Sequence, residues 1–525
     1  MSGRGRAVVG MVVVTTAMAV LAGCSSSDDA PAASRSDVGT STTVKTSLAS
    51  YAAAPCPDPA VPGYPQFELG PGFTCGYLTV PENRSTARGP TIRLFVATLH
   101  AASATPAADP IVWLTGGAGS PVIADAKVAA GLGINADRDV IFIEQRGNYS
   151  SEPSLTCPEI STFSATSVTE PYLDPATREQ SKAATTACRS RFVSDGVDLA
   201  AYSTAENARD VADLRVAMGI DKWNLYGYSY GTLLALTVLR DHPAGVRSVV
   251  LDSVVPPNLE LVEEFWPAAA AGYEAIFDGC AAQPSCAAAY PDVAEEFVAT
   301  VNRLTTTPLT VPVADPVSGA TVPVVIDGYK LANLLVQLGG AHTYFSEIPG
   351  IVHELATGDG SQVAALLLEI SATAPISSSG LSNGVYCREY VAQTSPMQVS
   401  KRAEKVLPQF PDAIREQTPQ LPFFESCAIW NVGTAPRSVH TPVVSDVPVL
   451  MMAGTFDTIT GVKWIEAVAP GLENSQTVVV PGVGHETIKS GPCPVSVMNE
   501  FLARPTEPVD RTCVDNLALP TFKTP

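Results

Sequence analysis

The sequence predicts an α/β fold: a mostly parallel, doubly wound sheet interrupted by a mainly helical insertion. Three observations predict it. Short apolar runs alternate with helix-like runs from Ile92 to Leu251, as strands joined by crossover helices do. The alternation breaks over 256–444, where alanine-rich helical runs follow Pro256-Pro257, and resumes at Val447. Polar residues stand just past the ends of several apolar runs, the edge at which α/β sheets gather their sites.

With 525 residues, 46% hydrophobic and only 16% charged, the chain can bury a large core. Its 52 acidic against 32 basic residues argue against nucleic-acid binding. Arg4 and Arg6 precede an apolar stretch, Val8 to Val20, too short to span a bilayer and shaped like an export-signal core. It ends in Leu21-Ala22-Gly23-Cys24, which resembles the lipobox of bacterial lipoproteins. That resemblance implies a signal peptide over 1–23, cleavage before Cys24 and lipid on its thiol. The expected location is the outer face of the cytoplasmic membrane through this anchor, or, with a coincidental cysteine, the secreted fraction. Residues 24–50 are Ser, Thr, Ala and Asp with almost no large apolar groups, and are read as a disordered tether.

Ten further cysteines in an oxidising compartment suggest disulfides between neighbours. Proximity in sequence pairs Cys56–Cys75, Cys157–Cys188, Cys280–Cys286, Cys387–Cys427 and Cys493–Cys513. No CxxC or Cys/His cluster suggests a metal.

In order along the chain, Tyr77–Pro81 and Ile92–Leu99 read as the first strands of a core beginning at residue 51. Ile111–Leu114 is a buried strand running into Thr115-Gly116-Gly117-Ala118-Gly119-Ser120-Pro121; this glycine cluster lacks the GK[ST] ending and the GxGxxG spacing of phosphate loops. Asp139–Ile143 is the next strand, followed by Glu144-Gln145-Arg146-Gly147, with Glu144 and Arg146 expected to pair beneath the glycine loop. Ala205 to Met218 has helical spacing, with Ser203 or Thr204 as cap. Then comes Tyr226-Gly227-Tyr228-Ser229-Tyr230-Gly231 between a short strand and a helix, the setting of a nucleophile elbow. In that setting the loop after the earlier strand supplies one oxyanion N–H, from Gly117 or Ala118, and Tyr230 supplies the other.

The 256–444 insertion is read as a lid, with helices near 263–279, 288–304, 328–338, 346–356 and 361–372 and a hairpin of Leu309–Val313 and Thr321–Ile326; an independent second domain is the alternative. Past it, the core's second part (445–525) has the strand Val447–Met452 leading to Asp457 and the strand Thr477–Val480 leading through a Gly-rich turn to His485. Of six histidines, only His485 has that context; His100, His242, His342, His353 and His440 do not. The order Ser229, Asp457, His485 is that of a Ser-Asp-His hydrolase.

The GGxGxS/P loop, the (D/E)QRG segment, the Ala-Arg-Asp helix (residues 208–210) and Gly227-Tyr228-Ser229-Tyr230-Gly231-Thr232 together resemble the prolyl/tripeptidyl aminopeptidase family of α/β-hydrolases. The likeness covers residues 55–515 and is most like the secreted actinobacterial tripeptidyl aminopeptidases. It implies the α/β-hydrolase fold with a lid, no cofactor, and a peptide substrate whose free amine is bound by lid carboxylates; Glu260, Glu263, Glu264 and Glu347 are the candidates. The sequence departs from the family's pattern in Gly-Gly-Ala-Gly where proline is usual, in Glu144 for aspartate, and in Gly461 where proline often follows the acid loop. The expected function is an exported aminopeptidase acting through an acyl-enzyme on Ser229, monomer favoured. A carboxylesterase or lipase, or a non-catalytic binding lipoprotein, is the alternative.

Overall fold

The computed structural model describes residues 49–57, 68–86, 88–315, 318–342, 344–372, 377–418 and 423–525. The expected signal peptide, Cys24 and the tether up to residue 48 lie outside the described residues, as do Pro316 and Val317 of the hairpin turn.

Among the described residues eleven strands are formed: β1 (Ser50–Ala54), β2 (Phe73–Pro81), β3 (Thr91–Leu99), β4 (Ile111–Leu114), β5 (Val140–Ile143), β6 (Trp223–Ser229), β7 (Val246–Val254), β8 (Leu309–Ala314), β9 (Thr321–Ile326), β10 (Val449–Gly454) and β11 (Ser475–Val480). Nine build one sheet in the order β1-β2-β3-β5-β4-β6-β7-β10-β11, and β8 and β9 form a separate hairpin. From β5 to β11 every pairing is parallel. β1, β2 and β3 close one edge antiparallel. The chain leaves β4 for β5 on one side and returns to β6 on the other, so the switch of direction opens a crevice at the carboxyl ends of β4 and β6.

Alternation along each central strand feeds two cores. Ile111, Trp113, Tyr226, Val250, Leu450 and Val478 pack on one face with Ile123, Ala126, Met498 and Phe501 from the helices Ile123–Gly131 and Pro492–Ala503. Val112, Leu114, Leu225, Val249, Leu251 and Met451 face the other way, onto Leu214, Leu233 and Leu236 and the helices between β7 and β10. That second core continues into the insertion through Trp266, Tyr273 and Trp430, and the described residues belong to one compact unit.

The insertion departs from the strand–helix pattern as expected: helices Leu261–Ala281, Val293–Thr306, Gly328–Gly340, Ile348–Thr357 and Ser361–Ala372, plus the hairpin. The run expected at 288–304 instead splits into Pro284–Ala289 and Val293–Thr306 around Pro291. Helices Ser379–Glu389, Pro396–Ala403 and Phe423–Trp430 have no forecast counterpart. Among the described residues five disulfides join the same neighbour pairs proximity suggested: Cys56–Cys75, Cys157–Cys188, Cys280–Cys286, Cys387–Cys427 and Cys493–Cys513. Among the described residues no helix is long and apolar enough to cross a membrane.

Candidate functional site

Ser229 is the last residue of β6 and has φ 53° and ψ −129°. A non-glycine residue in that region is strained, and the surroundings impose it. The helix Tyr230–Asp241 starts at once and packs so close to β4 that a Cβ on Gly231 would lie 2.0 Å from Leu114 O. The Thr232 hydroxyl donates to Ser229 O (2.6 Å) and accepts from Val255 N (2.7 Å), locking the turn onto the end of β7. The result is a half-buried hydroxyl raised on a tight strand–helix turn.

Asp457 and His485, both buried, follow β10 and β11. His485 Nδ1 lies 2.9 Å from Asp457 Oδ2. The other oxygen of Asp457 accepts from Ile459 N (2.8 Å) and Thr460 N (2.9 Å). Thr460 Oγ1 donates to Asp457 Oδ2 (2.5 Å) and lies 3.2 Å from His485 Nδ1. Burial alone would raise the Asp457 carboxyl, but His485 and the Thr460 donors hold it below its ordinary value. Burial likewise disfavours charged His485, and the facing Asp457 carboxylate nevertheless lifts its pKa above the ordinary imidazole value.

The histidine loop reaches back across β10 to the strand beside the nucleophile. Asp252, at the end of β7 and paired in register with Tyr228, accepts from Thr487 N (2.9 Å), Thr487 Oγ1 (2.8 Å), Ile488 N (3.2 Å) and the Tyr226 hydroxyl (3.2 Å). Ser253 Oγ accepts from Glu486 N (2.9 Å). Beside these bonds, Lys489 pairs with Glu486 and reaches Asp125 (3.4 Å), whose other oxygen accepts from the Tyr228 hydroxyl (2.8 Å). Burial pushes Glu486 up to about 7, opposed by Lys489. The segment bearing His485 is thus tied to the end of β7 and, through Lys489 and Asp125, to the strand that ends in Ser229. Among the described residues no hydrogen bond joins Ser229 Oγ to His485 Nε2; such contacts are commonly long without substrate and tighten in the reacting complex.

The glycine loop after β4 lies over the elbow: a Cβ on Gly116 would meet Ser229 Cβ at 2.9 Å. Gly117 is exposed and Ala118 buried, with Ser120 N donating to Gly117 O (2.8 Å). Thr115 Oγ1 donates to Asp125 (2.8 Å), and Gln145 Nε2 donates to Thr115 O (3.1 Å). Tyr230 opens the helix after Ser229, where a first-turn N–H has no intrahelical partner.

The expected Glu144–Arg146 pair is not formed. Glu144 Oε2 and Oε1 instead accept from Val122 N (3.1 Å) and Ile123 N (3.4 Å) at the start of the helix after the glycine loop. Burial pushes its pKa up to about 7. Arg146, fully buried, forks onto Asp210 (2.8 Å to each oxygen) and donates to Glu82 O and Ala201 O. Both residues lie past the end of β5, in the turn that follows it, where no strand period aims their side chains together, and each found partners in a different element.

Of the insertion carboxylates, Glu264 pairs with Arg402 (2.7 Å), Glu263 accepts from Thr394 (2.6 Å), and Glu347 pairs with Lys523 (2.7 Å). Glu260 is exposed at the start of the helix Leu261–Ala281 and has no ion pair among the described residues. A cavity of about 1200 Å³ lies beside the acid loop, lined by Glu264, Ala268, Phe297, Asp457 and Trp464 but not by Ser229 or His485. Of the other histidines, His342 Nε2 lies 3.0 Å from Glu486 O in the His485 loop, whereas His353 meets Glu296 (3.0 Å) and His440 contacts Pro257 O (3.0 Å).

Sequence reasoning missed Thr460, Asp252, Asp125, Lys489 and Glu389. Only Thr460 had a local signal, an Asp-x-x-Thr turn in which the carboxylate caps the residues that follow it.

Residues 109–309 match the family described as alpha/beta hydrolase fold, and residues 417–513 match the one described as TAP-like protein. The chain is 29% identical over 217 residues to the tripeptidyl aminopeptidase of Streptomyces coelicolor, a stretch that is 39% of each chain. It is 28% identical over 213 residues to the serine protease Hip1 of Mycobacterium tuberculosis, covering 38% of this chain and 39% of that one. The match therefore spans well under half the length of these curated relatives. The proline iminopeptidase of Mycobacterium smegmatis superimposes with a TM-score of 0.39 at 16% identity, over 82% of this chain and 98% of that one. The chain has the α/β-hydrolase fold, and its similarity to tripeptidyl aminopeptidases extends over 217 residues.

Proposed function

We propose that this α/β hydrolase is a serine peptidase that releases short peptides from the free N-termini of peptides or proteins. The observation that carries the reading is the buried Asp457–His485 hydrogen bond, on a loop bound to β7 beside the strained Ser229. A serine hydroxyl is a weak nucleophile at neutral pH, so His485 takes its proton as Ser229 attacks the carbonyl. Asp457 holds the imidazole in the tautomer that presents Nε2 and stabilises the imidazolium. The N–H groups of Gly117 or Ala118 and of Tyr230 receive the developing oxyanion. The amine leaves with the proton from His485, and water then cleaves the acyl-enzyme by the same route. No cofactor takes part.

The peptide preference rests on the similarity to tripeptidyl aminopeptidases. Of the four candidates Glu260, Glu263, Glu264 and Glu347, the last three are engaged by partners within the chain, which leaves Glu260 to receive a substrate amine. Export and a lipid anchor on Cys24 belong to the same proposal and follow from the charged, apolar and small-residue order of residues 4–24. The partners are then a peptide and, through the anchor, a membrane.

Hydrolysis of Ala-Ala-Pro-p-nitroanilide, its N-acetylated form and a p-nitrophenyl ester tests the reading. An aminopeptidase cleaves the first and loses activity on acetylation. A preference for the ester makes the protein a carboxylesterase, and cleavage of none makes it a binding protein. Ser229→Ala must abolish whatever activity is found.

A further inference from the structure

The helix Ser379–Glu389 belongs to the insertion, yet its two ends bond to core segments: the glycine loop after β4 and the start of the helix Thr204–Ala217. At its start, Ser378 N donates to Gly119 O in the glycine loop (2.7 Å). Approach there is close enough that a Cβ on Gly119 would lie 2.4 Å from Ser378 O. At its end, Glu389, buried, takes both donors of Thr204: the backbone N–H on Oε1 and the hydroxyl on Oε2, each at 2.7 Å. Thr204 Oγ1 is 3.0 Å from the hydroxyl of Tyr230, the residue after Ser229, and Asn207 Nδ2 donates to that hydroxyl at 3.5 Å.

The proton order in this chain is dictated by the carboxylate. Burial raises the Glu389 pKa and the two Thr204 donors oppose that; in its ionised form the carboxylate only accepts, so Thr204 spends its one hydroxyl proton on Glu389. Tyr230 must then donate to Thr204, and Asn207 to Tyr230. Each member has one role, which holds the Tyr230 ring in one place. The helix is itself anchored through Cys387–Cys427 to the helix Phe423–Trp430.

We propose that Glu389 is a positioning residue for the oxyanion hole: through Thr204 it fixes Tyr230 and the N–H that Tyr230 presents, while Ser378 at the other end of the same helix holds the loop carrying Gly117 and Ala118. The insertion is thereby part of the catalytic frame and not only a cover. The inference rests on Ser229 being the nucleophile. It separates Glu389 from a carboxylate that binds a substrate amine, since both of its oxygens are already engaged inside the protein.

The test compares wild type, Glu389→Gln, Glu389→Ala and Tyr230→Phe on free-amine Ala-Ala-Pro-p-nitroanilide and on p-nitrophenyl acetate. Glu389→Gln and Tyr230→Phe are expected to lower kcat about ten-fold and Glu389→Ala about a hundred-fold, by like factors on both substrates, with KM within about two-fold. The double variant Tyr230→Phe/Glu389→Gln should be no slower than the worse single, because both break one chain. Unchanged kcat in folded variants, a loss confined to the anilide, or additive losses would overturn the inference and leave the Ser229 reading intact. If Glu389→Ala does not fold, Tyr230→Phe, which keeps the ring, decides the matter. A wild-type protein that cleaves neither substrate overturns the Ser229 reading and this inference with it.

Discussion

His485 Nδ1 and Asp457 Oδ2 are 2.9 Å apart although 28 residues separate them in the chain. Both are buried, so the ionic form of the pair is sheltered from water and its geometry is held by packing. Asp457→Asn keeps the shape but lets the amide stabilise the wrong imidazole tautomer. Turnover should fall by about 10⁴-fold with the fold intact. Stopped assays beside a thermal melt check this, and activity within about ten-fold of wild type would remove Asp457 from the mechanism.

The pH profile follows from the sign of two shifts. His485 acts as a base only when neutral, and its pKa lies above the ordinary value of about 6.5. The acid limb of kcat/KM should therefore fall above that value, with activity rising as pH increases and then levelling. In Asp457→Asn the limb should move to lower pH. For stability, the depressed Asp457 contributes above its unfolded pKa of about 3.9, and that contribution is lost as pH falls through the folded value. His485 contributes below its unfolded pKa, and that contribution is lost as pH rises through its raised folded pKa. Activity and melting temperature measured over one pH series test both signs.

Thr460 gives Asp457 a backbone and a hydroxyl donor. Thr460→Val keeps the shape and removes the second, leaving a buried carboxylate short of one hydrogen bond. The expected cost is about 1–3 kcal/mol in stability, with a loss of turnover of about ten-fold. Thr460→Ser should recover most of both. Urea unfolding and steady-state kinetics on the three proteins measure it.

Gly231→Ala places a Cβ 2.0 Å from Leu114 O, a backbone atom of the central strand. The elbow and β4 must separate to admit it, so a loss of about 1–3 kcal/mol is expected together with loss of activity. A variant as stable and active as wild type would show that the elbow packs less tightly than described.

The parts of the molecule written in local pattern were legible in advance. β4, β5 and β10 are continuous apolar runs because both faces of the sheet are covered. Ser229, Asp457 and His485 each follow such a run with glycine or turn residues alongside. β1 was not legible, since Ser50-Tyr51-Ala52-Ala53-Ala54 lacks branched side chains and is a strand only by pairing with β2 and through the nearby Cys56–Cys75 bond. The helix Pro175–Ser194 buries only Thr177, Thr185, Cys188 and Phe192, too few apolar positions to set a period. Glu389 was beyond reach for another reason: its partner Thr204 is 185 residues away, and no spacing rule links them. Glu144 and Arg146 stand in the turn after β5, where no strand period governs direction, so Glu144 meets the start of the helix Ile123–Gly131 and Arg146 meets Asp210.

The most direct measurement is reaction with an alkyl fluorophosphonate followed by peptide mass spectrometry. The account predicts one adduct per chain, on the peptide carrying Ser229, abolished in Ser229→Ala and strongly slowed in His485→Ala. An adduct on a different serine, or equal labelling without His485, would contradict it.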